Sequence, residues 1–352
     1  MNRPSSPLVF LPRDSVHDQT LDQIGARLAE DGVRVLRASS TGLSQSELDE
    51  AVAQADVAVF TMRAPCTAQT LRAGHRLRGV VYPTIGVESL DLDAADQMGI
   101  IVGHGAMPEN FLGVAEATVM LILMRLYDPL ASNDVAHGRR PRPAPNAQSV
   151  WARMLRGRTL GMVGFGRIGR AIADRLAGWG VDIIIHDPFV DAATLPAGVR
   201  SADFDTVMRE SDVVVVLVAI TAQTRDIIDA RALSLMKPDA HLINVSRGEA
   251  VDEAALVRAL RERRIGGASL DVTRTEPPPP DSELLQLDNC FVTPHMIGQT
   301  KDVFAAIVPT AVGNIRNILA AQLPTYCKNP GTEGRWRQRL AAIDASRAGD
   351  DA

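Results

Sequence analysis

Three side chains of the kinds that bind acids and move protons stand just beyond apolar runs in the second half of this chain. Arg247 follows Ile243-Asn244-Val245-Ser246, Glu276 follows Leu270-Asp271-Val272 and precedes a run of prolines, and His295 closes Val292-Thr293-Pro294. Arginine offers a permanently charged, planar fork that suits a carboxylate. Histidine is the commonest general acid or base near neutral pH, and a carboxylate can orient it. Singly, each residue has a plainer explanation: a surface pair with Glu249, a solvated loop acid, a structural histidine. Short apolar runs followed by helical stretches read as parallel strands, however, and ligands gather beyond the carboxyl ends of such strands. The three are therefore expected to converge.

A fourth signal lies upstream. An apolar run at 159–163 feeds Gly164-Phe165-Gly166-Arg167-Ile168-Gly169, and Ile168, Ile172 and Leu176 then share one helical face. In such a turn the first glycine permits the tight bend, the second lets backbone approach a pyrophosphate, and the third lets helix and strand pack closely. The helix N-terminus adds N–H donors and the positive end of its dipole. The next apolar run ends at His186-Asp187, about 20 residues on, where an acid can accept from the adenosine ribose hydroxyls. A carboxylate there repels a 2′-phosphate, so Asp187 favours NAD over NADP.

The elements that must position these residues alternate along the whole chain. Strands are expected at 8–11, 33–36, 57–61, 79–82 and 100–102, with helices at 21–30, 46–53 and 92–98 between them. After a helix at 110–126 that is apolar nearly all round, residues 128–150 read as a linker or exposed arm. A second set of strands is expected at 159–163, 181–186, 213–219, 241–245, 267–271 and 290–293. A closing helix runs from 300 to about 320, with Phe304, Val308, Ala311, Val312, Ile315 and Ile318 on one face and Pro309 at its start or at a kink. Such alternation predicts α/β architecture with parallel sheets covered by helices. Residues after 331 read as a polar, mobile tail.

Composition narrows the class. The 352 residues imply two domains, and 46% apolar with 22% charged residues suits a globular chain. A net charge of −5 and scattered arginines give no nucleic-acid or anionic-membrane partner. Cys66, Cys290 and Cys327 stand far apart, forming neither a disulfide framework nor a metal motif, so no metal is expected and a reducing, cytoplasmic setting is. The N-terminus lacks the apolar core of a signal peptide. The stretch 111–124 is interrupted by Glu116 and reads as too short to span a bilayer.

Taken in order, Gly86-Val87-Glu88-Ser89-Leu90-Asp91, Val114-Ala115-Glu116, the glycine motif, residues 244–252, Leu270-Asp271-Val272 with Glu276-Pro277, and Thr293-Pro294-His295 resemble the D-isomer-specific 2-hydroxyacid dehydrogenase family over about residues 55–330. The resemblance implies two Rossmann-like, doubly wound parallel-sheet domains. An NAD-binding domain at 124–301 would be inserted into a flavodoxin-like substrate domain made of 1–123 and 302–335, with 336–352 as tail and no regulatory domain beyond. It implies NAD-dependent interconversion of a D-2-hydroxy acid and its 2-oxo acid, with a homodimer as the working state. Arg247 would hold the substrate carboxylate and 2-oxo oxygen, His295 would be the acid/base, and Glu276 would orient it. Arg167 and Ile168 would contact the pyrophosphate. Thr224, Val245 and Ser246 would line the cofactor site, and Asp271 would meet the nicotinamide side. Backbone N–H groups of Thr84, Ile85 and Gly86 would receive the substrate carboxylate. Arg63 matches one of two arginines that phosphoglycerate dehydrogenases place near their phosphate; the other position is Pro65.

The chain departs from the family's usual pattern at Thr84 and Ile85 (usually small), Glu88 (usually Asp), Ala219 (often Pro), Thr273 (often Phe) and Ile297 (usually Gly or Ala). These changes bear on substrate identity: a compact acid such as glyoxylate or hydroxypyruvate is favoured, with an apolar 2-oxo acid meeting Ile85 and Ile297 as the alternative. Two other readings share these residues: a relative using another hydride donor, such as phosphite, and an NAD(H)-sensing corepressor-like protein. Glutamate at 276, where formate dehydrogenases have glutamine, argues against formate.

Overall fold

The computed structural model describes residues 6–350, which form two compact units: residues up to 110 together with 301 onward, and residues 111–300. In the first unit, β1 (Leu8–Leu11), β2 (Arg34–Arg37), β3 (Val57–Val59), β4 (Gly79–Val81) and β5 (Ile101–Gly103) make one all-parallel sheet in the order β2-β1-β3-β4-β5. This is the flavodoxin-like order. β1 and β3 to β5 are buried throughout and lie inside the sheet or under cover, as parallel strands covered on both faces must be. Their side chains alternate between two cores. Phe10, Ala58, Val80 and Tyr82 pack with Leu48, Val52 and Leu71 on one face; Val9, Leu11, Val57 and Val59 pack with Leu21, Ile24, Ile315 and Trp336 on the other.

The second unit carries β6 (Thr159–Val163), β7 (Asp182–His186), β8 (Val199–Ser201), β9 (Val213–Val216), β10 (His241–Asn244), β11 (Gly267–Leu270) and β12 (Cys290–Val292). The order β12-β11-β10-β9-β6-β7-β8 is again all parallel. Strand order reverses between β6 and β9, and that reversal opens a crevice at their carboxyl ends. Both expected sheets and their doubly wound character are present. β8 was not legible as a strand: Val199-Arg200-Ser201 is a short, mostly exposed edge.

Several expectations need correction. The boundary at 123/124 falls instead at 110/111, because Phe111, Leu112, Ala115, Leu121 and Ile122 pack into the second unit's core against Leu160, Ile172 and Val215. That helix, Pro108–Tyr127, has 20 residues and is long and apolar enough by composition to cross a membrane, so the stretch is not too short. Its Glu116 pairs with Arg175 at 2.9 Å. It is also not buried all round, since Met120 is half exposed. The presumed arm at 128–150 begins with a helix, Pro129–Ala136, because Asp128 caps the Ala131 N–H at 3.0 Å and Pro129 suits the first turn.

Pro309 lies inside the helix Lys301–Leu319, and Phe304 is exposed rather than on its inner face. The tail expected to be mobile is the helix Glu333–Asp350. Trp336, Leu340 and Ile343 form a buried stripe at i, i+4 and i+7. Trp336 Nε1 donates to the Arg78 carbonyl at 2.7 Å, and Arg339 donates to the carbonyls of Leu77 and Gly74. Hydrophobic burial and these bonds outweigh the polar composition.

Candidate active site

The second unit brings Arg247, Glu276 and His295 together on the loops after β10, β11 and β12, three adjacent strands. Asn244, the last residue of β10, is buried and shapes the first loop. Its Nδ2 donates to the Arg247 carbonyl at 2.9 Å, and its Oδ1 accepts from Ser246 N at 3.1 Å and Ser246 Oγ at 2.9 Å. Arg247 Nη1 donates back to the Ser246 carbonyl at 2.8 Å. Gly248 follows. A Cβ there would lie 2.2 Å from both the carbonyl carbon and oxygen of Thr273, so only glycine lets this loop press against the one leading to Glu276.

Glu276 Oε1 accepts from the Thr273 N–H at 3.3 Å, and Oε2 stands 2.7 Å from His295 Nδ1. The hydrogen bond to Glu276 holds the His295 imidazole above its ordinary value; burial and the Arg247 charge oppose that rise. Burial would raise the Glu276 carboxyl, but the bond and charge of His295, with the Thr273 N–H and Arg247, bring it below the usual range. The arrangement keeps a carboxylate on Nδ1 and leaves Nε2 as the ring nitrogen that Glu276 does not engage.

His295 itself sits at φ 55°, in the left-handed region that a non-glycine residue seldom adopts. Asp271 and its neighbours hold it there. His295 N donates to the Asp271 carbonyl at 2.7 Å, while Asp271 Oδ1 accepts from Thr293 Oγ1 at 2.7 Å, Met296 N at 2.9 Å and Ile297 N at 3.1 Å. Burial pushes the Asp271 carboxyl up, and these donors pull against it. Sequence reasoning placed Asp271 against the cofactor and missed that one of its oxygens organises the histidine loop. Asn244 and Gly248 were missed as well. An asparagine ending an apolar run, with a glycine four residues on, was the available signal.

The glycine turn lies at the carboxyl end of β6, beside the sheet reversal. Gly164 has φ +96°, and its Cβ would strike the Leu217 carbonyl at 2.9 Å; a Cβ on Gly169 would meet Phe165 at 3.0 Å. On Gly166 it would meet nothing within 4 Å, so this backbone opens onto clear space. Gly166 is also the N-cap of the helix Arg167–Arg175 and supplies no side-chain bond, so the first-turn N–H groups of Arg167 and Ile168 are not capped by it. Asp187 opens the loop after β7: Oδ2 accepts from Phe165 N at 2.8 Å and Oδ1 from Phe189 N at 3.0 Å. An open, donor-rich turn beside an acid suits a pyrophosphate and a ribose diol, so these residues fit a dinucleotide. Val245 is buried beneath the β10 loop. The Thr224 hydroxyl donates to the Ala219 carbonyl at 2.6 Å and accepts from Thr221 N at 2.8 Å, shaping the turn after β9.

The profile described as the NAD-binding domain of D-isomer-specific 2-hydroxyacid dehydrogenases matches residues 98–297. This chain belongs to that family. A D-3-phosphoglycerate dehydrogenase from Archaeoglobus fulgidus is 34% identical over 264 residues, which cover 74% of this chain and 49% of that protein. This chain thus spans about half the length of the phosphoglycerate dehydrogenases it matches first. A glyoxylate reductase from Thermofilum pendens is 34% identical over 73% of this chain and 76% of its own. Among solved structures, an NADPH-dependent glyoxylate/hydroxypyruvate reductase from Sinorhizobium meliloti, in complex with NADP and malonate, superposes with a TM-score of 0.76 at 29% identity, covering 92% of this chain and 97% of the other.

The first unit holds the remaining expected residues of this 2-hydroxyacid dehydrogenase family member. Thr84, Ile85 and Gly86 follow β4. The Thr84 carbonyl accepts from Gly105 N at 2.8 Å, and the Ile85 carbonyl bonds His104 Nδ1 at 3.0 Å. In a trans peptide the N–H points opposite to the carbonyl. The N–H groups of Ile85 and Gly86 are therefore turned away from these partners. Arg63, after β3, is paired with Asp14.

Proposed function

We propose that this protein is an NAD-dependent oxidoreductase that interconverts a D-2-hydroxy acid and its 2-oxo acid. The observation that carries the reading is the 2.7 Å Glu276–His295 pair, set beside Arg247 on strand ends of the same sheet that carries an open glycine turn. Bound at Gly164, Gly166, Arg167, Ile168, Gly169 and Asp187, NAD supplies the hydride acceptor or donor. Arg247 binds the substrate's carboxylate and 2-oxo oxygen through its planar fork. In oxidation, His295 takes the 2-hydroxyl proton at Nε2; in reduction it returns that proton to the same oxygen. Glu276 keeps Nδ1 protonated and stabilises the imidazolium, and Asp271 fixes the loop on which the ring stands.

Asp187 favours NAD over NADP, since its carboxylate repels a 2′-phosphate. The substrate is a small 2-oxo or 2-hydroxy acid, and the setting is cytoplasmic, in keeping with three free cysteines. The working form is a homodimer. Half-exposed Met120, Tyr127 and Leu130 and the exposed Met154 on the second unit support a second copy as partner. The test is a screen of 2-oxo acids with NADH, followed by nicotinamide absorbance. Turnover of at least one, lost in His295→Ala while NADH still binds, is expected. Tight NADH binding with no turnover of any 2-oxo acid would overturn the enzymatic reading in favour of a nucleotide sensor.

A further inference from the structure

The loop that carries Glu276 is short of main-chain support. Asp271 N donates to the Asn244 carbonyl at 3.0 Å, and from 272 to 281 no backbone N–H bonds another backbone carbonyl among the described residues. Thr273 N is engaged by Glu276 itself, and Arg274 N donates to Glu253 Oε2 at 3.1 Å. A side chain ties this loop instead. Arg274 Nε and Nη2 both donate to the Val251 carbonyl, at 3.2 and 3.1 Å, and Nη2 also pairs with Asp226. One guanidinium thus joins the loops after β9, β10 and β11, all within the second unit.

The far end of this tie is firm. Val251 is buried, and its neighbours are laced to the loop after β9: Ile228 N donates to the Ala250 carbonyl and Asp252 N to the Ile228 carbonyl, both at 3.0 Å. Asp226 belongs to the same lacing, since its N–H donates to the Glu249 carbonyl at 2.8 Å. Its φ of 53° lies in the left-handed region, which aspartate adopts more readily than most residues. The Arg274 and Asp226 side chains are 39% and 41% exposed, so solvent screens their attraction and the pair alone contributes little. The two donors on the Val251 carbonyl do the holding, and Asp226 orients the planar fork that supplies them. Without Arg274, residues 249–252 keep these bonds. The stretch from 273 to 276 keeps only the Glu253 contact and its packing on Gly248.

We propose that Arg274 is a positioning residue for Glu276, a clip that fixes the acid's loop against the loop of Arg247. Glu276 lies two residues further on, with Oε2 at 2.7 Å from His295 Nδ1. A carboxylate displaced by about 1 Å would lie outside hydrogen-bond reach. Arg274 acts through Glu276 and needs no contact with substrate or cofactor. The inference rests on the acid/base role given above to the Glu276–His295 pair and adds the residue that holds that pair in place.

The test is Arg274→Met, which keeps the side chain's reach and removes every donor. Two quantities are read: the titration of His295, by NMR of nitrogen-labelled imidazoles, and the kinetics of glyoxylate reduction with NADH. The His295 midpoint should fall by at least about half a unit, toward the ordinary 6.5. The kcat should drop about three- to tenfold while KM stays within about twofold, because the Arg247 loop keeps its own bonds. NADH affinity should be unchanged. Arg274→Lys retains a charge for Asp226 and one donor for Val251, so it should show about half of each change; it carries the test if the methionine variant does not fold. In Glu276→Gln, the same Arg274→Met substitution should shift the midpoint no further, because the group through which Arg274 acts has lost its charge. A midpoint in Arg274→Met within about 0.2 unit of the unmutated protein would overturn the inference. So would a shift of undiminished size in the Glu276→Gln background. The titration needs no turnover, so a protein that reduces no 2-oxo acid yet shows the shift would lose the enzymatic reading alone.

Discussion

Replacing Glu276 with glutamine should move the pH profile of the reaction by about one unit, and the geometry fixes the direction. Glu276 Oε2 and His295 Nδ1 are 2.7 Å apart, with side chains 35% and 45% exposed. That exposure discounts the attraction. A hydrogen bond to a charged group contributes about 1.5–3 kcal/mol, and exposed ion pairs only about 0.2–1 kcal/mol. A value near 1.4 kcal/mol corresponds to one pKa unit. Glutamine keeps the shape and an oxygen but not the charge, so the folded-state value of His295 should fall by about that much. Reduction of a 2-oxo acid needs the imidazolium. Its kcat/KM should hold at low pH and decline as pH rises through a value that Glu276 keeps above the ordinary 6.5. Oxidation needs the neutral ring, so its limb has the opposite sign. The assay is kcat/KM for glyoxylate reduction at saturating NADH, from about pH 5 to 9.5, in both proteins. A declining limb that stays within about 0.3 unit in Glu276→Gln, with turnover still measurable, would refute the pairing argument.

Three further outcomes are expected. Arg247→Lys should lower kcat/KM by about a hundredfold or more, because a point charge cannot reproduce two parallel bonds; near-normal kinetics would remove Arg247 from substrate binding. Asp187→Ala should narrow an NADH-over-NADPH preference of at least about tenfold, read by fluorescence titration. It should also weaken NADH itself, since Asp187 holds the Phe165 and Phe189 N–H groups; an unchanged preference would reject its role. Gly248→Ala drives a Cβ into the Thr273 carbonyl and should cost about 1–3 kcal/mol of stability, measured by urea unfolding, along with most of the activity.

Much of this architecture was legible because period and position coincide. Fully buried parallel strands are continuous apolar runs, and β6, β9 and β10 announce themselves that way. The same logic hid β8, whose Val199-Arg200-Ser201 sits at an edge with nothing to bury. Arg247, Glu276 and His295 could be named because each follows a strand. Their supports could not, since Asn244, Gly248 and Asp271 act through backbone groups that approach only in the fold. The helix Glu333–Asp350 was misjudged on average polarity, although Trp336, Leu340 and Ile343 already carried the helical spacing. Arg63 was read only through the family resemblance, and its ion-pair partner lies 49 positions away at Asp14, a pairing that no local pattern encodes.

The tether between Gly248 and Thr273 lies within residues 111–300, as do the glycine turn, Arg247, Glu276 and His295. Asp14, Arg63 and the 84–86 loop belong to the other unit. The supports of the histidine loop therefore all come from one unit: a change at 248 or 271 moves backbone on which the Glu276 and His295 loops rest, whereas a change within residues 1–110 leaves those contacts as they are.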